Sequence, residues 1–263
     1  MLSAPPAPGA SPSAPAPAPS EPGRRERVTG ILVRALAVYS AAVLTLVVTV
    51  VLVGSKDAVA HAIIVMGALL AVLWCLVGGL LMRRYREAVR ERVLRLPVRW
   101  EMRFVLFATL LALIEEGITT SLTNLIAPLY HVPMAEAHIT ASSNYLIVIG
   151  FSSVVLFVPE FVGWMVLLRR YDFSPKEVLL LYGLLGTAME ATLNPTALYA
   201  GFWFFVYGLM VYLPAYSLPT DRKVVPPSWY HYPLAGLFPF LLALPVAGMD
   251  SVLGHLLRVH LWG

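Results

Sequence analysis

Long apolar segments alternate with short polar connections along most of this chain. Several of them hold about 20 residues, enough for a helix rising about 1.5 Å per residue to cross a 30 Å hydrocarbon layer. The pattern predicts an all-α, polytopic integral membrane protein with about seven transmembrane helices. We place the predicted spans at 31–53, 62–82, 104–124, 145–168, 178–194, 197–216 and 233–249.

The first 29 residues differ in composition from the rest of the chain. Eight prolines fall within residues 1–23, with Ala, Ser and Gly filling most of the remainder. Such a segment cannot bury a core, so residues 1–29 are predicted to form a disordered Pro/Ala-rich tail that ends in a basic juxtamembrane segment. Residues 30–263 are predicted to form one helical transmembrane domain.

Composition excludes an ordinary soluble domain. Hydrophobic residues make up 59% of the 263 residues and charged residues only 13%, whereas soluble domains are about one-quarter charged. Cys75 is the single cysteine, which rules out an intramolecular disulfide and a CxxC-type metal site. No Gly-rich phosphate loop or serine-nucleophile elbow is visible, and the sequence does not define a cofactor or a metal.

The basic residues predict an orientation. With the N-terminus inside, 17 of the 19 Lys and Arg residues fall in inner segments, and only Lys56 and Arg258 lie outside. Because cytoplasmic loops carry an excess of Lys and Arg, the count predicts a cell-membrane protein with its N-terminus cytoplasmic and its C-terminus on the outer side.

The inner loop from Arg83 to Arg103 is the most basic part of the chain. Its apolar residues recur at helical spacing, so the loop is predicted to extend the second span as a helix until Pro97 stops it. Eight arginines beside a membrane favour contact with anionic lipid headgroups. A role in binding nucleic acid is disfavoured.

Carboxylic acids mark three consecutive spans. Glu115 and Glu116 lie near the centre of the third span, Glu160 lies in the fourth, and Glu190 lies in the fifth. A carboxyl in hydrocarbon costs about 2.5–3.5 kcal/mol, so such groups usually face a protein interior or a water-filled site. Helix rise places these four at depths that agree within about 6 Å, which predicts that they meet in one layer.

The neighbours of these acids share their helix faces. Glu116 lies on one face with Thr119, Thr120 and Thr123, and the small residues Gly183 and Gly186 would let another helix approach the fifth span. Several carboxyls this close in a low-dielectric interior cannot all stay ionised. The cluster therefore suits acid–base chemistry on water, proton relay or cation coordination, and it also suits plain helix–helix hydrogen bonding.

The order of these motifs resembles the CPBP family of intramembrane proteases, which includes the CAAX prenyl proteases. That family shows a Glu-Glu pair followed four residues after its second Glu by Arg, then Phe-x-x-x-His, then His-x-x-x-Asn, on successive spans. Here Glu115-Glu116 stands first, Phe157-Val-Pro-Glu160 second, and Glu190-Ala-Thr-Leu-Asn194 third. Other residues occupy the family's arginine and two histidine positions: Thr120, Phe161 and Glu190.

The resemblance implies a glutamate-dependent intramembrane protease or hydrolase acting on a membrane protein or peptide. Glu116 and Glu190 would polarise water, and Glu115, Glu160 and Asn194 would orient it or stabilise the developing oxyanion. Two other interpretations use the same residues. In one, the protein is a proton- or cation-coupled transporter, and in the other it is a non-catalytic membrane scaffold.

Overall fold

A computed structural model describes residues 23–193 and 197–257 of the chain. All of the regular elements in this part are helices. A π-helical segment, Ala71–Gly78, joins the second and third helices without a break. In chain order the α-helices are α1 (Arg24–Gly54), α2 (Ala58–Leu70), α3 (Gly79–Leu94), α4 (Trp100–Leu129), α5 (Tyr145–Phe151), α6 (Ser153–Arg170), α7 (Pro175–Leu193), α8 (Ala197–Ala200), α9 (Trp203–Tyr216) and α10 (His231–Leu257).

Five helical stretches in the described residues are long and apolar enough to cross a membrane. They are Arg24–Gly54, Ala58–Leu94, Trp100–Leu129, Tyr145–Arg170 and His231–Gly248. The all-α prediction is confirmed for this part of the chain. The two other predicted spans, 178–194 and 197–216, correspond to α7, which has 19 residues, and to the shorter apolar helix α9, and the count of seven spans stays a prediction.

The helix predicted for the basic loop is confirmed as far as residue 94. The stretch Ala58–Leu94 runs for 37 residues, and its last turns carry Arg90 and Arg92 beyond the apolar part. The chain then turns through Pro97 and enters α4. Arg103 closes this turn by donating to the carbonyl oxygens of Val93 and Leu94, at 2.9 and 2.7 Å.

Helices α7 and α9 pack against each other along their length, as an antiparallel hairpin. Gly183 and Gly186 of α7 lie where a Cβ atom would overlap the backbone of Phe204 and the ring of Tyr207. On the other side, a Cβ at Gly208 of α9 would come within 2.8 Å of the Leu179 carbonyl oxygen. Small residues thus bring the two backbones together, as the sequence predicts for Gly183 and Gly186.

The distal end of this hairpin lies beside the middle of α1 and of the second long helix. Gly201 adopts a φ of +59°, and a Cβ there would come within 3.0 Å of Tyr39 and Ser40, the mid-points of α1. Next to it, the Phe202 ring packs on Gly67. At about 1.5 Å per residue, the 14 residues of α9 span only about 21 Å, less than a 30 Å hydrocarbon layer. Gly201, just before α9, therefore lies part-way along α1.

A non-helical segment folds back from the opposite direction. After α4 ends, residues 130–144 return along its side, where the Ile139 amide donates to Thr123 at 3.4 Å. Further along α4, the Tyr145 hydroxyl donates to the carbonyl oxygen of Leu113 at 2.7 Å, about 24 Å from the end of the helix. The predicted span 145–168 is not one straight helix, because the backbone breaks at Ser152 (φ −145°, ψ −113°) between α5 and α6.

The end of the bundle at which α1, α4 and α7 begin carries most of the described basic residues, and we call it the basic end. There Arg25 of α1 forms an ion pair with Glu177 of α7, which also accepts hydrogen bonds from Tyr232 of α10 and the Ser174 amide, both at 2.8 Å. Burial alone would raise the pKa of Glu177, but these hydrogen bonds together hold it below its usual range. One buried carboxylate thus joins three helices.

Candidate functional site

The four glutamates of the predicted site all lie inside the helical bundle. Glu115, Glu116 and Glu160 are 3%, 6% and 1% exposed, and Glu190 is half-buried. Three of these positions are among the most buried polar residues of the described chain, in helices that are otherwise apolar. Because an unpaired carboxyl in such an interior is costly, the partners of each one define what the cluster can do.

Glu116 lies among three hydroxyl groups. Its Oε2 atom accepts from Thr119 at 3.2 Å, one turn along α4, and from Thr140 of the folded-back segment at 3.5 Å. The Ser153 side chain, from the first turn of α6, also lies near this carboxyl. Thr140 and Ser153 are both far from Glu116 in the sequence. The environment of the Glu116 carboxyl therefore forms only when the chain folds.

Glu115, Glu116 and Glu190 form a group of neighbouring acids. Glu115 lies close enough to both of the other two for direct electrostatic repulsion, and Glu116 likewise senses Glu190. Like charges at short distance in a low-dielectric interior favour sharing of protons among the group. The carboxyls of Glu115, Glu116 and Glu190 thus lie within electrostatic range of one another.

Glu160 is set apart from these three by a layer of tyrosines. It accepts a hydrogen bond from Tyr182 at 2.7 Å, while Glu190 accepts one from Tyr207. The rings of Tyr182 and Tyr207 meet edge to face with centroids 6.5 Å apart. Glu160 is thus connected to Glu190 through two phenols, and not by a direct contact between carboxyls.

One oxygen of Glu160 has no polar partner. Among the described residues, neither Glu160 Oε1 nor the indole nitrogen of Trp164, one turn along α6, has a hydrogen-bond partner, although both atoms are buried. Buried polar groups are nearly always satisfied, and each exception calls for an explanation. Here the free oxygen leaves Glu160 able to exchange a proton or to receive a further hydrogen bond.

A cleft of about 680 Å³ opens on the side of α4, next to Glu116. Its walls include Leu110, Ile114 and Gly117 of α4, and Tyr145 at the start of α5. Thr120 also lines the cleft, and its hydroxyl lies 3.5 Å from that of Thr140, the residue that donates to Glu116. Two hydroxyl groups in succession, those of Thr120 and Thr140, thus lie between the cleft and the carboxyl.

The structure positions some of the predicted site residues together and leaves one undescribed. Glu115, Glu116 and Glu190 lie within electrostatic range of one another, Glu160 is separated from them by two tyrosines, and Asn194 lies outside the described residues. Sequence reasoning missed Tyr182, Tyr207 and Thr140 as partners of these acids. A tyrosine in an apolar span carries no distinguishing signal, and Thr140 is 24 residues from the glutamate that it contacts.

The described residues contain no group of three or more His, Cys, Asp and Glu side chains arranged to hold a metal ion. The site is instead defined by carboxyl, phenol and hydroxyl groups, which can take up, donate and share protons. No family model matches the chain, and comparison with the curated proteins and the solved structures also finds no match. The resemblance to the CPBP proteases stays a prediction from the motif order.

Proposed function

We propose that this chain is a polytopic membrane protein whose basic end faces the cytoplasm. Five long apolar helices support membrane insertion, and the Lys and Arg residues gathered at one end support the orientation. The turn at Gly201 and the folded-back segment fit the same setting. Non-helical backbone at membrane depth is tolerated where it is buried in protein or lines a cavity, and residues 130–144 are packed against α4.

Within that setting, we propose a glutamate-dependent intramembrane hydrolase. The observation that carries the proposal is Glu116, a buried carboxyl that accepts hydrogen bonds from Thr119 and Thr140 and lies beside a second acid. The hydroxyls of Thr140 and Thr120 lie between this carboxyl and a lateral cleft. Paired carboxyls that share protons are suited to activating water, with one accepting a proton while another donates. The lateral position of the cleft would admit a substrate from the bilayer.

Each acid has a distinct part in the proposed reaction. Glu116 takes a proton from water as the water oxygen attacks a substrate carbonyl carbon. Glu190, in contact with Tyr207, donates a proton to the leaving nitrogen as the carbon–nitrogen bond breaks. Glu115 balances the charge between the two, and Tyr207 donates a hydrogen bond on the side of Glu190. Glu160 acts through Tyr182, as a positioning residue.

Incorporation of oxygen from labelled water tests hydrolysis without knowledge of the substrate. Membranes containing the full-length protein would be incubated in ¹⁸O-water, and new peptide C-termini carrying ¹⁸O would be counted by mass spectrometry. We expect labelled termini with the natural chain and their loss with Glu116→Gln, which keeps the side-chain shape. Glu91→Gln, at an exposed ion pair on α3, is the matched control and should keep the labelling. Equal labelling with Glu116→Gln and the natural chain would refute the proposal.

A proton-coupled transporter is the second candidate, and the line of phenols and carboxyls favours it. Glu160 pairs with Tyr182 and Glu190 pairs with Tyr207, and the two tyrosine rings meet edge to face between α6, α7 and α9. A water molecule joining the two phenol hydroxyls would complete a proton relay. The hairpin and the folded-back segment also approach this line from opposite ends, as half-spanning elements do in many transporters.

Liposomes containing a pH-sensitive dye distinguish the two candidates. Transport predicts proton flux that is lost in Tyr182→Phe, because the relay is broken while the carboxyls remain. Hydrolysis predicts no flux in either protein and ¹⁸O labelling that is reduced but not abolished in Tyr182→Phe, because Glu160 then loses the hydroxyl through which it acts. A scaffold, the third interpretation, predicts neither activity.

A further inference from the structure

A cleft of about 490 Å³ lies at the basic end of the bundle, away from the glutamate cluster. Four cationic side chains from three helices line it: Arg27 and Arg34 of α1, Arg86 of α3, and Lys176 of α7. One acid, Glu26, also lines the cleft, so positive charge is in excess. These cations are far apart in the sequence, so folding creates the concentration of charge.

Neutral groups position several of these cations. Arg34 donates from Nε to the carbonyl oxygen of Gly30 at 3.2 Å. The Lys176 ammonium lies only 3.5 Å from the place where a Cβ of Gly30 would be, so it packs over the α1 backbone. Among the described residues, neither Arg34 nor Lys176 has a carboxylate within ion-pair distance.

Arg86 is held against an aromatic wall. Its guanidinium carbon lies 5.0 Å from the ring centroid of Tyr216, which also lines the cleft together with Tyr212. Its nearest acid, Glu87, is 3.7 Å away and accepts a hydrogen bond from the Tyr216 hydroxyl. The Tyr216 ring therefore fixes the orientation of Arg86. Among the described residues, the exposed Glu87 is the one carboxylate within ion-pair distance of Arg86.

We propose that this cleft binds the phosphate group of an anionic ligand, a phosphomonoester in particular. Guanidinium groups match phosphate oxygens in pairs, and the lysine adds a point charge. The cleft also lies at the first turn of α7, lined by Ser174 and Pro175, where the helix dipole favours negative charge. A dianion would relieve the mutual repulsion of the four cations.

Two sources could supply this phosphate, a phospholipid of the inner leaflet or a soluble phosphate ester. A lipid source is geometrically accessible, because Ile31 at the cleft and the next turns of α1 expose apolar side chains on which acyl chains could lie. The site is independent of the proposed hydrolase or transporter, so failure of either would leave this inference unaffected.

Native mass spectrometry of the full-length chain in neutral detergent tests the site. Dioleoyl phosphatidic acid would be titrated against dioleoyl phosphatidylcholine, with the natural chain, a double variant Arg34→Gln/Lys176→Gln, and a matched control Arg92→Gln/Arg95→Gln at the exposed end of α3. We expect preferential binding of phosphatidic acid that weakens about tenfold in the cleft variant, a loss of about 1.4 kcal/mol, and by less than about twofold in the control. Competition by glycerol 3-phosphate would identify a soluble ester as the ligand, and lack of competition would identify a lipid.

A stability measurement separates binding from folding. Without an anion, the cleft variant should be at least as thermally stable as the natural chain, since it removes two of four repelling cations. The natural chain should gain stability when phosphatidic acid is added, and the cleft variant should gain much less. Equal loss of binding in cleft and control variants would show unspecific attraction to a basic surface and would overturn the proposal. Absence of any preference for phosphatidic acid would overturn it as well.

Discussion

Gly186 of α7 faces the ring of Tyr207 of α9 so closely that any side chain at Gly186 would overlap the ring. The same tyrosine donates a hydrogen bond to Glu190, one turn further along α7. The contact between Gly186 and Tyr207 therefore sets both the spacing of α7 and α9 and the position of the Tyr207 hydroxyl beside Glu190. A change in helix spacing at this point would displace Tyr207 from the acid cluster.

Replacement of Gly186 by alanine tests this coupling. The added methyl group must push the helices apart or turn the Tyr207 ring, so we expect a loss of about 1–3 kcal/mol in unfolding free energy. Thermal or denaturant unfolding of the purified protein would measure it. Gly236→Ala in α10 is the matched control, because a Cβ there has no neighbour within 4 Å, and it should cause no loss. Equal stability of the two variants would contradict the close packing.

Tyr182 is the only hydrogen-bond partner of the Glu160 carboxyl among the described residues. Tyr182→Phe should therefore cost about 1–3 kcal/mol, because it leaves a buried carboxyl without any partner. Replacing both residues, as Tyr182→Phe/Glu160→Leu, should restore part of that loss, since no buried polar group is then left unpaired. A double-mutant cycle on unfolding free energies measures the coupling. Strict additivity of the two substitutions would show that the pair does not interact.

Glu177 should make the stability of the protein depend on pH in the acid range. Because its pKa is held below the usual value, its contribution is complete above the unfolded-state pKa of about 4.3 and is lost as pH falls through the lower, folded-state pKa. We expect Glu177→Gln to cost about 1–3 kcal/mol at neutral pH. Below both pKa values, the variant and the natural chain should converge.

Thermal unfolding from pH 3 to pH 8 would reveal this convergence. Glu91→Gln removes only an exposed pair with Arg95 at 4.0 Å, so it should change stability by less than about 0.5 kcal/mol at any pH. A constant difference between Glu177→Gln and the natural chain across the range would show that Glu177 contributes by packing and not by charge.

The proposed membrane topology can be tested with single cysteines in a Cys75→Ser background. A cysteine at Arg92 should react with a membrane-impermeant maleimide only from the cytoplasmic side, and one at Lys56 only from the outside. Because Gly201 lies part-way along α1, a cysteine at Ala200 should resist labelling from the outside. Efficient outside labelling at Ala200 would mean that the hairpin crosses the whole bilayer.

The sequence predicts the helical class and the acid-bearing helices because carboxyls are rare in apolar segments and therefore easy to recognise. Glu115, Glu116 and Glu190 also have similar estimated depths, and the structure brings them together. Glu160 was expected in the same group, but the bulky rings of Tyr182 and Tyr207 stand between it and the other acids. Helix rise gives depth and does not reveal which side chains lie between two helices.

Hydropathy could not predict the short helix α9 or the return of residues 130–144 along α4. It measures how apolar a segment is, and α9 is as apolar as a full span although it is only 14 residues long. The return of residues 130–144 along α4 depends on contacts such as Asn124 to the Ser143 carbonyl oxygen at 2.9 Å, between residues that are not neighbours in sequence. Local patterns carry no information on such pairings.

The turn at Gly201, beside the middle of α1, has a consequence for biosynthesis. A helix that crosses the bilayer satisfies its own backbone, but the turn at Gly201 requires the surfaces of α1 and α2 as a lining. These two helices leave the ribosome first and can be in place before α7 emerges. The order of the helices along the chain therefore suits their assembly. Helices α1 and α2 can form the surface on which the α7–α9 hairpin later packs.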